Sequence, residues 1–311
     1  MNQVLVRPLQ ASDAEAVAHL FRAHIEHWSG VPATWVSPQH VLVVMEMPGL
    51  DPDKDLACLE IDDTLVGYGG LMAQAPYSEL TAVRAVALDL TAAQLDAVNR
   101  AWLDWAIGAA RPYAARAQDP VRSRLAVLAY DGDPFLSFLR ESGFEYVRST
   151  YTMKRSLAAD EPDVSLPEGV TVRSVVLPDD LPALTEVLAA FADHHGDLVL
   201  DRERVEHLMK LPYARPDLSE IASDAAGSCS ALVAEANPDA GYVMSLATLR
   251  RARNQGIATA LLLRSFRNFA AAGCTVVRLD VDADNTTGAL ALYERAGMTR
   301  ESEVQFWMRP L

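Results

Sequence analysis

The stretch RNQGIATALLLRSF, residues 253–266, passes from a charged turn broken by one glycine straight into an apolar helix. Upstream, AGYVMSLATL (240–249) is a short run of apolar and β-branched residues that suits a buried strand. Downstream, Ile257, Leu261, Leu262, Leu263, Phe266 and Phe269 recur at helical spacing, Gly273 is placed to end the helix, and TVVRLDV (275–281) reads as the next strand. The turn therefore lies between a strand end and a helix start, where unpaired N–H groups and the helix dipole favour an anion. Gly256 and Ala258 put little side chain in the way of a phosphate, and LRRARNQG (249–256) holds Arg250, Arg251 and Arg253 with no acid among them.

Read against itself, the chain repeats. RLAVLAYDGDPFLSFLRESGFEYVRSTYTMKRSL (124–157) lies on RLDVDADNTTGALALYERAGMTRESEVQFWMRPL (278–311) without a gap, matching Arg124, Leu125, Val127, Ala129, Leu136, Gly143, Arg155 and Leu157 to Arg278, Leu279, Val281, Ala283, Leu290, Gly297, Arg309 and Leu311. Each copy reads as strand, turn, short helix, glycine and a final strand. VLVRPLQASDAEAVAHL and VTVRSVVLPDDLPALTEVL likewise both give a short strand, an Asp-containing turn and an amphipathic helix. The stretch SLAADEPDVSLPEG (156–169) is acidic, with two prolines and no apolar period. The expected division is a first domain over 1–157, a linker over 158–169 and a second domain over 170–311.

Length and composition agree with two domains: 311 residues, half of them hydrophobic. No stretch approaches the roughly 20 apolar residues that span a bilayer, and MNQVLVRPLQASDAEAV has no basic region followed by an apolar run. Cys58, Cys229 and Cys274 stand far apart without metal-ligand spacing. The expectation is a cytoplasmic chain with no membrane association. A net charge of −15 argues against non-specific nucleic-acid binding, which relies on clustered Lys and Arg. His24 and His27 share helical spacing, but no cysteine or second acidic cluster completes a metal set, so no metal is expected. Trp102 and Trp105 form a stripe at core spacing.

The hexad Arg253-Asn254-Gln255-Gly256-Ile257-Ala258 resembles the Q/R-x-x-G-x-G/A signature of the GCN5-related N-acetyltransferases, the GNAT family. Its setting strengthens the likeness, because NTTGALALYERAG is similar to the family's N..A..LYE..GF segment, with Met298 in place of the aromatic. The resemblance implies an α/β (α+β) fold of two tandem GNAT domains. Each would be a mixed, mostly antiparallel twisted sheet with splayed central parallel strands, flanked by helices. It further implies acetyl-CoA as co-substrate, its pantetheine arm along the strand edge at Leu246, Ala247 and Thr248. The pyrophosphate would lie over a loop comprising Arg251, Arg253, Asn254, Gln255, Gly256, Ile257, Ala258 and Thr259, with Asn285 and Tyr293 completing the cofactor site.

For acetyl transfer, Tyr293 is the expected acid for the departing thiolate, since a phenol with an ordinary pKa of about 10 keeps its proton until it is needed. Main-chain amides near Leu246 to Thr248 would polarise the carbonyl. Glu235 is the first candidate for the base; Asp193, His194 and His195 in FADHHGD form a second candidate group for acceptor binding or proton relay.

The first half lacks the signature. Thr91-Ala92-Ala93-Gln94 reads as a capping box, Asp89 brings a negative charge, Asp131 takes the place of Asn285 and Leu139 that of Tyr293. The expectation is a degenerate first domain and a catalytic second one. A non-catalytic CoA or acyl-CoA sensor or scaffold is the alternative class. The layout is similar to that of the mycothiol synthase branch of the family, but the carboxylate expected there on the signature strand is Tyr242 here, so an unassigned small-molecule amine ranks ahead of that substrate. The acidic surface would steer cationic acceptors. A monomer is expected, with a homodimer as the alternative.

Overall fold

The computed structural model of the chain describes residues 3–189, 201–237, 240–284 and 288–311. The chain divides into two compact units, Met1–Thr150 with Ser302–Leu311, and Tyr151–Glu301. In the first unit the strands are β1 (Leu5–Pro8), β2 (Leu56–Ile61), β3 (Thr64–Ala73), β4 (Glu79–Val86), β5 (Arg124–Tyr130) and most of β12 (Thr299–Pro310), with the first half of β6 (Glu145–Ser156) beside β12. Its helices are α1 (Ala14–Ser29), α2 (Pro38–Met45), α3 (Pro52–Asp55), α4 (Ala92–Ala114) and α5 (Phe135–Glu141). In the second unit the second half of β6 is followed in the sheet by β11 (Val276–Asp282), β10 (Ala240–Thr248), β9 (Gly227–Ala236), β8 (Glu220–Asp224) and β7 (Thr171–Ser174). Its helices are α6 (Leu181–Leu188), α7 (Arg202–Leu208), α8 (Ile257–Ala271) and α9 (Ala289–Arg295). Strands β4 and β5 pair in parallel, as do β10 and β11, while β1–β2, β2–β3, β3–β4, β5–β12, β7–β8, β8–β9 and β9–β10 pair antiparallel.

The sequence repeat is a structural repeat. Helix α5 (135–141) maps to α9 (289–295) and β6 (145–156) to β12 (299–310), all at the offset found in the sequence. The units differ from the expected 1–157 and 170–311 in where these last strands are counted: residues 151–157 belong with the second unit and 302–311 with the first. The reason is backbone pairing, since β12 runs antiparallel to β5 from Val304 opposite Tyr130 to Pro310 opposite Arg124. The expected linker also has fixed partners. Glu161 is buried against Arg155 at 2.8 Å and accepts the Ala158 amide at 3.0 Å, while Asp163 pairs with Arg267 on α8.

Each core follows the predicted periodicity. Trp102 is fully buried in the first unit with Leu125, Phe135 and Leu139, and Trp105 packs against the same cluster. In the second unit Leu261, Leu262, Phe266 and Phe269 of α8 pack on Val277, Leu279 and Val243. A Cβ on Gly241 would lie 2.4 Å from the Phe269 ring, so glycine at the foot of β10 is what lets α8 approach the parallel pair. Among the described residues no helix is long and apolar enough to cross a membrane.

A matched clamp opens each unit. Arg7 on β1 holds Asp13 through two bonds of 2.7 and 2.9 Å, and Arg173 on β7 holds Asp180 through two of 2.5 and 2.6 Å. Each aspartate also accepts a turn amide, from Gln10 and Val176. These bonds hold both carboxyls below the usual carboxylate range. A depressed folded-state pKa adds stability that is present above the unfolded value of about 4 and is lost as pH falls through the folded one. Asp180→Asn should therefore cost about 1 kcal/mol at pH 7, a modest figure because Arg173 is half-exposed, and almost nothing at pH 2, as read by urea unfolding at both pH values.

Candidate active site

The register of β10 and β11 sets the geometry. The pair is in parallel register at Ala240 with Val276, Gly241 with Val277 and Tyr242 with Arg278, and there the pairing stops. Strand β10 continues to Thr248, held only on its other side by β9, with a bulge between Val243 and Ser245. Its end is tied down: the Ser230 hydroxyl donates to the Ala247 carbonyl at 2.7 Å and lies 2.8 Å from the Thr248 hydroxyl. Leu246, Ala247 and Thr248 thus lie on the stretch of β10 that has left β11.

The turn that follows is built for exposed amides. A 3-10 turn over Arg250–Ala252 leads to Asn254 at φ 61° and Gly256 at φ 80°, which is the N-cap of α8. No side chain caps this helix and its first turn has no acid, so the amides of Ile257, Ala258 and Thr259 have no partner within the helix. Gly256, Asn254, Gln255 and Thr259 are exposed. The positive φ at Gly256 is one that a side chain strains.

The arginines of the loop differ in their ties. Arg251 pairs with Asp224 and donates to the Ser228 carbonyl at 2.9 Å, which anchors the turn to the β8–β9 hairpin. Arg253 Nε donates to the Thr248 carbonyl at 3.0 Å, and Gln255 Nε2 to the Arg251 carbonyl at 3.2 Å. These contacts brace the loop's path and leave its main chain outward.

Tyr293 is on α9 against the core of the second unit, 9% exposed. Burial pushes its pKa up to about 12. Its hydroxyl has no hydrogen-bond partner among the described residues. Glu235 lies on β9 directly opposite Tyr242, half-buried, and burial raises its pKa. His194, with Asp193 and His195, and Asn285 lie outside the described residues.

The first unit has the same divergence with different contents. Strands β4 and β5 pair from Glu79 with Arg124 to Ala82 with Val127, and β4 then runs on to Val86. Two residues past the last pair, Arg84 reaches Asp133, in the turn after β5, at 3.0 Å, and Asn99 on α4 at 3.3 Å. Its guanidinium stacks 3.6 Å from the Phe135 ring centre. Helix α4 has the capping box read from the sequence: the Gln94 amide donates to Thr91 Oγ1 at 3.3 Å and the Thr91 amide to Gln94 Oε1 at 3.1 Å. Leu139, the counterpart of Tyr293, is fully buried. Where the second unit presents backbone, the first presents its own side chains.

Sequence reading missed Arg84 and Asp133, and also Asp280, which accepts from Thr152 and Tyr242 on the neighbouring strands. A signal for Asp280 existed in RLDVD, whose alternation puts Arg278, Asp280 and Asp282 opposite the buried Leu279 and Val281. Among the described residues no three His, Cys, Asp or Glu side chains are grouped to hold a metal, and His24 is buried with its pKa pulled down to about 3.

Residues 192–298 match the model of the acetyltransferase (GNAT) family. Over 167 residues the chain is 32% identical to a mycothiol acetyltransferase of Pseudarthrobacter chlorophenolicus, covering 51% of each chain. Over 185 residues it is 32% identical to one of Streptomyces bingchenggensis, covering 57% of this chain and 59% of that one. The chain thus spans about half the length of the curated relatives it matches. Among solved structures, a GCN5-related N-acetyltransferase from Sphaerobacter thermophilus superposes with a TM-score of 0.78 at 23% identity, covering 98% of this chain and 95% of that one. A tandem GNAT protein from the clavulanic acid biosynthesis pathway gives 0.72 at 13% identity, covering 99% and 98%.

Proposed function

We propose that this chain is a tandem GNAT acetyltransferase that moves an acetyl group from acetyl-CoA to the amine of a small molecule, with the second unit doing the chemistry. The observation that carries this reading is the stop in β10–β11 pairing at Tyr242 directly before an uncapped helix start. A strand edge without a partner offers peptide groups to a pantetheine arm, and the amides at Gly256 to Thr259 offer an N-terminal dipole and donors to the pyrophosphate. In the first unit Arg84, Asp133 and the α4 capping box occupy the corresponding positions, which supports a first unit without a working cofactor site.

The expected chemistry is direct transfer. The amine nitrogen attacks the thioester carbon, amides of β10 support the charge on oxygen, and the carbon–sulfur bond breaks to leave a thiolate. Tyr293 supplies a proton to that sulfur. Burial raises its pKa and so keeps it protonated at neutral pH. The mycothiol acetyltransferase relatives favour an amine acceptor on a small polar molecule.

Thiol release from acetyl-CoA should be measured with a panel of primary amines: spermidine, tyramine, glucosamine and cysteine methyl ester. Amine-dependent release is expected, and Tyr293→Phe should lower kcat by about a hundredfold while leaving acetyl-CoA affinity unchanged. Release without any dependence on amine would contradict acetyl transfer to an amine, and an unchanged kcat in the variant would remove Tyr293 from the acid role.

A further inference from the structure

Beside the strand divergence, on the face of the second sheet away from α8, one carboxylate is held differently from its neighbours. Gly241 meets Phe269 of α8, so Tyr242 projects to the opposite face, and there it hydrogen-bonds Asp280. Thr152 Oγ1 on β6 donates to Asp280 Oδ1 at 2.8 Å. Asp280 lies two residues past Arg278, the last residue of β11 in register with β10, so its side chain stands where the two strands begin to separate.

The surrounding charges are already engaged. Arg278 binds Glu301 at 2.6 and 3.1 Å, and Lys154 binds the same carboxylate at 2.9 Å. Asp280 has only the two neutral donors and, among the described residues, no cationic partner. It is also exposed, although the protein packed around it raises its pKa. A carboxylate held in place by neutral hydroxyls, lacking a counter-charge and open to solvent, is suited to a cation from outside. Glu235, across Tyr242 on β9, has no such donors to fix it among the described residues.

We propose that Asp280 is the carboxylate that receives the acceptor's ammonium and takes its proton, with Tyr242 and Thr152 as its positioning residues; the assignment rests on the acetyl-transfer reading above. An ammonium arrives with three protons and leaves as an amide with one. The first proton passes to Asp280 and on to solvent, which frees the lone pair for attack on the thioester carbon. The second leaves nitrogen as the carbon–sulfur bond breaks, and restores the Tyr293 proton given to the thiolate. Asp280 thus governs delivery of a neutral amine and takes no part in holding CoA.

The test compares wild type with Asp280→Asn, Thr152→Val and Thr152→Ser. It uses whichever of the four panel amines wild type turns over fastest, with acetyl-CoA calorimetry on every protein. Asp280→Asn should lower kcat/KM for the amine by about a hundredfold or more with acetyl-CoA affinity within about twofold of wild type. Thr152→Val should lose several-fold in kcat/KM and Thr152→Ser should recover it, a rescue that a purely structural role for the methyl group would not give. Retention of kcat/KM within about threefold in Asp280→Asn would overturn the assignment while leaving acetyl transfer intact. Parallel loss of acetyl-CoA binding in that variant would overturn it too, by making Asp280 a structural residue. A wild type that binds no acetyl-CoA would bring down the underlying reading and this assignment together.

Discussion

Gly256→Glu is expected to lower acetyl-CoA affinity at least about a hundredfold, close to 3 kcal/mol. Two effects combine. Gly256 has φ 80°, and a residue with a Cβ pays roughly 1–2 kcal/mol to adopt that left-handed conformation, so the turn shifts and takes the first amides of α8 with it. The added carboxylate also lies at a helix start that has no acid and no side-chain cap, where it competes as an anion for the amides of Ile257 to Thr259. Crowding contributes little, because the nearest atom to a new Cβ is Pro167 Cγ at 4.0 Å. Gly256→Ala separates the two effects: it carries the strain without the charge and should lose affinity by a smaller factor. Calorimetry on the three proteins, with circular dichroism to confirm the fold, reads both.

Arg84→Ala is expected to destabilise the first unit by roughly 3–5 kcal/mol without changing acetyl-CoA affinity. Arg84 and Asp133 are each 5% exposed and bonded at 3.0 Å, and Asp133 also accepts the Phe135 amide at 2.8 Å. Burial pulls the Arg84 pKa down by more than Asp133 pulls it up, so the pair as a unit contributes little. Its loss is costly for another reason: the alanine variant leaves Asp133 as a buried anion with no cation, and removes the guanidinium stacked on Phe135. Urea unfolding should show an early transition in the variant. Adding Asp133→Asn should recover part of the loss, since the neutral amide still accepts the Phe135 amide but no longer needs a counter-charge.

Much of this arrangement was legible because it depends on local sequence. The strand, turn and helix around RNQGIATALLLRSF have their periods and their glycine in the chain itself, and the Thr91–Gln94 capping box is a spacing of three residues. The repeat set the offset between α5 and α9 and between β6 and β12. Which unit takes each final strand was not legible, because β12 pairs with β5 across more than 170 residues of chain. Arg251 reads as a basic loop residue, but its partner Asp224 is set by the β8–β9 hairpin. Asp280 and Arg84 escaped for the same reason: Thr152 donates to Asp280 from 128 positions away, and Arg84 meets Asp133 from 49. Alternation in a strand shows which face a charge takes, but its partners come from neighbouring strands.

The most direct test of the central claim is the stoichiometry of acetyl-CoA binding to the intact chain by isothermal titration. One site per chain, lost in Gly256→Glu and retained in Arg84→Ala, is the predicted result, with the uncapped start of α8 as the working cofactor site. Two sites per chain would contradict it by showing that the first unit binds the cofactor despite Arg84 and the α4 capping box, and no binding would contradict the assignment of the second unit.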